Sequence, residues 1–126
     1  MIQRIRTAPL ACLFVLSVLH IALSACAVAP TRNALVIGQQ AMIEGEVLRV
    51  DTDPWTYDGN AVITVSTETG AVDVQLPARW NLCKAPPLDD VRALKPRDRV
   101  QAIGTVTAPG KLVVCELPTH LLRKVQ

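Results

Sequence analysis

An all-β domain closed as a small barrel, with one short helix, is the fold class that three features of this sequence predict. From Ala41 onward, apolar residues recur at every second position in short β-branched runs, the period of a half-buried strand. Clusters of Gly, Pro, Asn and Asp separate the runs, supplying the backbone conformations that turns need. One apolar stripe of wider spacing, bracketed by prolines, stands between the third and fourth runs.

The first strand is expected over about Met42 to Val50. Ile43, Gly45 and Val47 share a face there, after which the apolar phase slips to Leu48 and Val50. A slip beside a glycine predicts a bulge or a strong bend. The second strand covers about Ala61 to Thr67 and the third about Ala71 to Leu76, joined through Glu68-Thr69-Gly70 as a hairpin. Pro86 and Pro87 then introduce Leu88, Val91 and Leu94. That stripe predicts a turn or two of helix, ended by Pro96. The fourth strand is placed at about Arg99 to Val106, and Thr107-Ala108-Pro109-Gly110 turns it into a fifth, about Lys111 to Leu117. The tail 118–126 carries no clear assignment.

Three strands, a short helix and two more strands is the element order of the OB-fold, a five-stranded Greek-key barrel. An SH3-like barrel or another small β-sandwich are the alternatives. Ile43-Glu44-Gly45-Glu46-Val47, Gly70-Ala71-Val72-Asp73-Val74 and Asp98-Arg99-Val100-Gln101-Ala102-Ile103-Gly104 resemble the strand signatures of small exported bacterial OB-fold proteins, the BOF group. The resemblance covers roughly residues 41–117. The Cys pair and the loop containing Trp80 depart from it.

The segment ahead of this domain reads as an export signal. Arg4 and Arg6 precede an apolar run from about Leu10 to Leu23, followed by small residues, the three-part pattern of a signal peptide over residues 1–25. The run is short for a membrane span, which needs about 20 predominantly apolar residues. Leu23-Ser24-Ala25-Cys26 resembles the lipobox of bacterial lipoproteins. The resemblance implies that Cys26 takes a diacylglyceryl group on its thiol, becomes the first mature residue and holds the protein on a membrane. Ala27 in the sorting position implies the outer membrane, facing the periplasm. The alternative is an ordinary secretory signal cleaved after Ala25 or Ala29. Residues 26–40, with Pro30, Asn33, Gln39 and Gln40, read as a lipidated tether to the barrel at 41–117.

Charge and cysteine usage narrow the function. Without Arg4 and Arg6, 11 basic residues face 11 acidic ones, so no net positive field favours nucleic acid. The second and third strands offer no aromatic platform on which bases could stack. Lipidation of Cys26 leaves Cys83 and Cys115 as the only pair. The expected topology runs strands three and five parallel, bringing both thiols to one rim, so a disulfide is expected in an oxidising compartment.

The loop Asp51-Thr52-Asp53-Pro54-Trp55-Thr56-Tyr57-Asp58-Gly59-Asn60 is the chemically richest stretch, and Trp80 should leave strand three at the same rim. Trp55, Tyr57 and Trp80, with Asp51, Asp53 or Asp58, form the candidate ligand site, since aromatic faces beside carboxylates suit sugar rings. The plainer reading has the aromatics covering the barrel end and the polar residues making turns. Asp51-x-Asp53 opens like a calcium loop, but Thr56 stands where glycine is needed and Val62 where the closing glutamate is needed. No metal or cofactor is expected. His120, the sole histidine after the signal, reads as a solvated tail residue, and no nucleophile elbow or phosphate loop is present. The expected function is therefore non-enzymatic: an interaction or structural module of the cell envelope, with recognition of an envelope glycan or small ligand as the alternative.

Overall fold

The computed structural model describes residues 34–88 and 90–126. The expected signal peptide over residues 1–25, Cys26 and most of the expected tether lie outside the described residues. Six strands form one sheet: β1 (Gln40–Asp51), β2 (Ala61–Thr67), β3 (Gly70–Leu76), β4 (Arg99–Ala108), β5 (Lys111–Val113) and β6 (Leu121–Val125). Their order is β1-β2-β3-β5-β4-β6, and a further β1–β4 pairing closes the first five into a barrel. All neighbours are antiparallel except β3 and β5, which run parallel. This is the OB-fold arrangement that the element order predicts.

Closure depends on β1 serving two neighbours. Its first half, Gln40 to Glu46, pairs with β4, and its second half, Glu46 to Asp51, pairs with β2. Ala41, Ile43, Gly45 and Val47 point inward. The expected irregularity sits between Val47 and Arg49, so Leu48 is the extra residue and is pushed outward, 49% exposed. Gly45 does a different job from the bulge. A Cβ there would run into the Ser66 carbonyl oxygen, so only glycine lets β2 cross β1 this closely. Ile63, Val65, Val74, Leu76, Val100, Val106, Leu112 and Val114 fill the interior, each at most 1% exposed. Small and β-branched side chains suit so narrow a barrel.

Two expectations about the elements are corrected, and the unassigned tail gains a structure. The predicted helix is instead a 3₁₀ turn, Val91–Ala93, and no α-helix occurs among the described residues. Leu88, Val91 and Leu94 do pack on the core, but their spacing of three is the repeat of a 3₁₀ turn rather than of an α-helix. Pro87 and Pro96 also leave too few residues to offset the cost of helix nucleation. The fifth strand is short, ending at Val113 rather than near Leu117. The tail is not a free end, because Leu121–Val125 forms β6 on the same edge of β4 that β5 occupies further along. β5 and β6 are thus two pieces of one edge, interrupted by a strap, residues 114–120.

The strap leaves and returns through buried contacts. Cys115 forms a disulfide with Cys83, with Cα atoms 4.6 Å apart, as the parallel β3–β5 geometry requires. The Cys115 carbonyl accepts hydrogen bonds from the amides of Lys84 (2.9 Å) and Ala85 (3.1 Å). His120, which the sequence places at a solvated end, is instead fully buried. The register that forms β6 turns it inward with Leu122.

Candidate functional site

The barrel end reached by β1 and β3 carries two long connections. The first, residues 52–60, begins with the 3₁₀ turn Asp53–Tyr57, set by Pro54 in its first turn. Asp58 then adopts a left-handed conformation (φ 63°), one that Asp tolerates better than most residues. Gly59 N–H donates to the Pro54 carbonyl at 2.8 Å, closing the turn. The second connection runs from Pro77 to Asp98. It contains the 3₁₀ turns Trp80–Leu82 and Val91–Ala93, the latter capped by Asp90, whose carboxylate accepts from Arg92 N–H at 3.1 Å.

A groove of about 370 Å³ lies between the two connections. Trp55 and Trp80 line it with Pro77, Pro87, Leu88 and Val91, and Asp90 and Arg92 supply the charged groups. Trp55 is held rigidly: its indole N–H donates to the Leu76 carbonyl at 2.9 Å, and the ring packs against the core. The Arg92 guanidinium lies over that ring, 5.4 Å from its centroid, within cation–π range. Val91, 5% exposed, plugs the barrel beneath the groove.

The predicted site residues divide into two groups. Trp55 and Trp80 come together as expected. Tyr57 does not join them and is 88% exposed. Asp51 turns back on its own strand, where its carboxylate accepts from Asp53 N–H (3.1 Å) and meets the Arg49 guanidinium at 3.4 Å. The Asp53 carbonyl accepts from the Thr56 hydroxyl at 2.7 Å, which fixes the turn. Asp58 pairs with Arg79 through two guanidinium hydrogen bonds, one of 3.1 Å from Nε. Those hydrogen bonds hold the Asp58 carboxyl below the usual carboxylate range and raise the Arg79 guanidinium correspondingly. The Asp51 and Asp58 carboxylates, and the Asp53 backbone carbonyl, therefore stabilise the loop, and the Asp58–Arg79 bridge ties one connection to the other.

Asp90 and Arg92 escaped the sequence reading. Their only sequence signal is position. Each flanks Val91, an anchor of the apolar stripe, and a charged neighbour of a buried plug has to sit at the rim of whatever that plug closes. Among the described residues no three His, Cys, Asp or Glu side chains gather in a way that could hold a metal ion. No known protein family matches the chain, and no curated protein matches it.

Proposed function

We propose that this protein is a lipid-anchored, non-enzymatic binding module of the bacterial envelope that holds part of an envelope protein in the groove between Trp55 and Trp80. The groove itself carries the reading. It is an apolar hollow of about 370 Å³, built from two long connections that three separate ties hold in place. Such fixed, mostly apolar concavities with a few polar groups are the usual form of a binding site. One face of Trp55 is already covered by Arg92, its N–H is engaged by Leu76, and Asp51 and Asp58 are paired elsewhere. Trp80 and the Asp90 carboxylate still border the groove, but the Pro77, Pro87, Leu88 and Val91 lining between them suits an apolar side chain better than a hydroxyl-rich sugar. Protein is thereby favoured over glycan as the occupant.

The anchor belongs to the same reading. The lipobox resemblance at Leu23-Ser24-Ala25-Cys26 implies a diacylglyceryl thioether at Cys26, with the outer membrane as the destination. β1 starts from the tether and takes 12 residues to reach the connection bearing Trp55, a contour of up to about 40 Å at ~3.3 Å per residue before its bend. The groove then faces away from the anchored end, toward the periplasm.

A photo-crosslinking amino acid at Ala78, which lines the groove, tests the proposal in intact cells. The expected result is a reproducible adduct with an envelope protein that disappears when Trp80→Ala is added to a still-folded domain. An adduct indifferent to Trp80→Ala overturns the groove as the site, and an adduct with polymeric glycan alone replaces the protein partner with a carbohydrate one.

A further inference from the structure

The opposite end of the barrel shows an apolar surface where the tether joins it. Val36 and Ile37 are 45% and 59% exposed, and Met42 is 46% exposed. The strand register places Met42 opposite Ile103 and Ile103 opposite Leu121, so these three point outward as one row across β1, β4 and β6. Gln40 and Thr119 lie between that row and Ile37, and they satisfy each other through a 2.7 Å hydrogen bond. The next row is polar: Glu44, Gln101 and Arg123 follow in register, with Arg123 donating to Gln101 at 2.7 Å and Glu44 paired to Arg99 at 3.1 Å. Across β1, β4 and β6 the rows thus go from apolar to polar with distance from the tether, while on its other side Met42 borders a hollow shared with Glu44, Glu68 and Arg99. That gradient matches the boundary between acyl chains and headgroups.

Chain length says what lies against this surface. Only eight peptide links separate Cys26 from Ala34. Fully extended they reach about 29 Å, at ~3.6 Å each, and as a flexible chain their root-mean-square span is about 16 Å. A lipid at Cys26 therefore keeps Val36 and Ile37 within a few side-chain lengths of the bilayer. At the millimolar effective concentrations that short tethers create, weak apolar contacts become populated.

We infer that Val36, Ile37 and the Met42–Ile103–Leu121 row form a membrane-contact face that seats the barrel on the bilayer holding its lipid, with the Trp55–Trp80 groove directed outward. This rests on the lipid-anchoring reading above. The test uses the full lipidated chain in phosphatidylethanolamine–phosphatidylglycerol vesicles whose acyl chains are brominated. A fluorophore is attached to Ile37→Cys or, as the distant control, to Tyr57→Cys. Strong quenching at position 37 and none at position 57 is expected. Absence of quenching at both positions, in protein that still sediments with the vesicles, overturns the seated barrel while leaving the anchor intact. Disulfide crosslinks between two copies of the unlabelled Ile37→Cys protein, with no quenching of its labelled form, give the face to a second copy and equally overturn it. Anchoring is read separately with Cys26→Ser: loss of sedimentation supports it, whereas a Cys26→Ser protein that still sediments removes both the anchor and the tether argument.

Discussion

The two ends of this barrel are closed by opposite means. At the tether end, β2 turns into β3 through Glu68-Thr69 alone, with Gly70 at φ 124°, and β4 turns into β5 through Pro109-Gly110, with Gly110 at φ 67°. Backbone register completes both turns, assisted by the Thr67 hydroxyl donating to the Gly70 carbonyl at 2.7 Å. At the groove end the connections are long, so their ordering entropy is larger and no ladder offsets it. Side chains do so instead: the Cys83–Cys115 disulfide, the Trp55–Leu76 hydrogen bond and the Asp58–Arg79 pair, with His120 holding the strap that carries Cys115. Short turns leave no room for a site, whereas long connections pinned at several points leave a groove of fixed shape.

The largest test of that contrast is removal of the disulfide. Its closure spans 32 residues, for which chain entropy predicts a loss of about 3–4 kcal/mol on Cys83→Ala/Cys115→Ala. Denaturant titration should show that loss, and hydrogen exchange should rise across 77–98 and 114–120 while the β2–β3 hairpin stays protected. Uniform loosening of both ends would erase the distinction.

A smaller effect is expected from pH, through His120. Its Nδ1 accepts from Cys115 N–H at 3.1 Å, and Nε2 lies 3.5 Å from the Thr105 hydroxyl. An imidazolium has no lone pair for the Cys115 amide, so protonation breaks the bond that fixes the strap. Burial pushes the imidazole below its ordinary value, with the Glu116 carboxylate pulling weakly the other way. Between the folded and unfolded pKa values the unfolded chain binds more protons. Stability should thus be level above about pH 7 and fall as the pH drops through the unfolded value near ~6.5. His120→Gln removes the titrating group while keeping a carbonyl acceptor and an amide donor at this position. Urea midpoints from pH 8 to 5 should lose this slope in the variant, and an unchanged slope would show that His120 does not hold the strap.

The smallest change belongs to Arg79→Ala. Its pair with Asp58 is well exposed on both sides, and surface pairs of this kind contribute little because water and salt screen them. The unfolding midpoint should not move measurably. Binding at the groove should nevertheless weaken, because the tie between the two connections is lost, and a midpoint shift as large as that of the disulfide variant would contradict the ranking.

The strands were legible because their signal is local. Alternation in 61–67 and 71–76, glycine turn chemistry and the spacing of Leu88, Val91 and Leu94 all report on neighbours within a few residues. The three-residue spacing was visible too, and the turn of helix it predicts is the 3₁₀ turn Val91–Ala93, which has that period. Trp55 and Trp80 were legible as companions once the topology placed their loops at one rim. The carboxylates were not: Asp51 and Asp58 look like ligand groups in a loop beside aromatics, and only the fold brings Arg49 and Arg79 onto them.

The order of the first five strands and the hairpin positions follow from the sequence by itself, because period and turn residues need no three-dimensional input, and the Cys83–Cys115 pairing follows from the strand order they imply. Tertiary structure alone decided that Arg92 covers Trp55, that Asp90 and Arg92 edge the groove, that 114–120 leaves the sheet and that Leu121–Val125 returns to it with His120 buried. The first two rest on single contacts between residues far apart in the chain, and β6, five residues with Arg123 and Lys124 among them, is too short and too polar to show the alternation of a strand. A single distant contact leaves no periodic trace in sequence, whereas a strand repeats its signal every two residues.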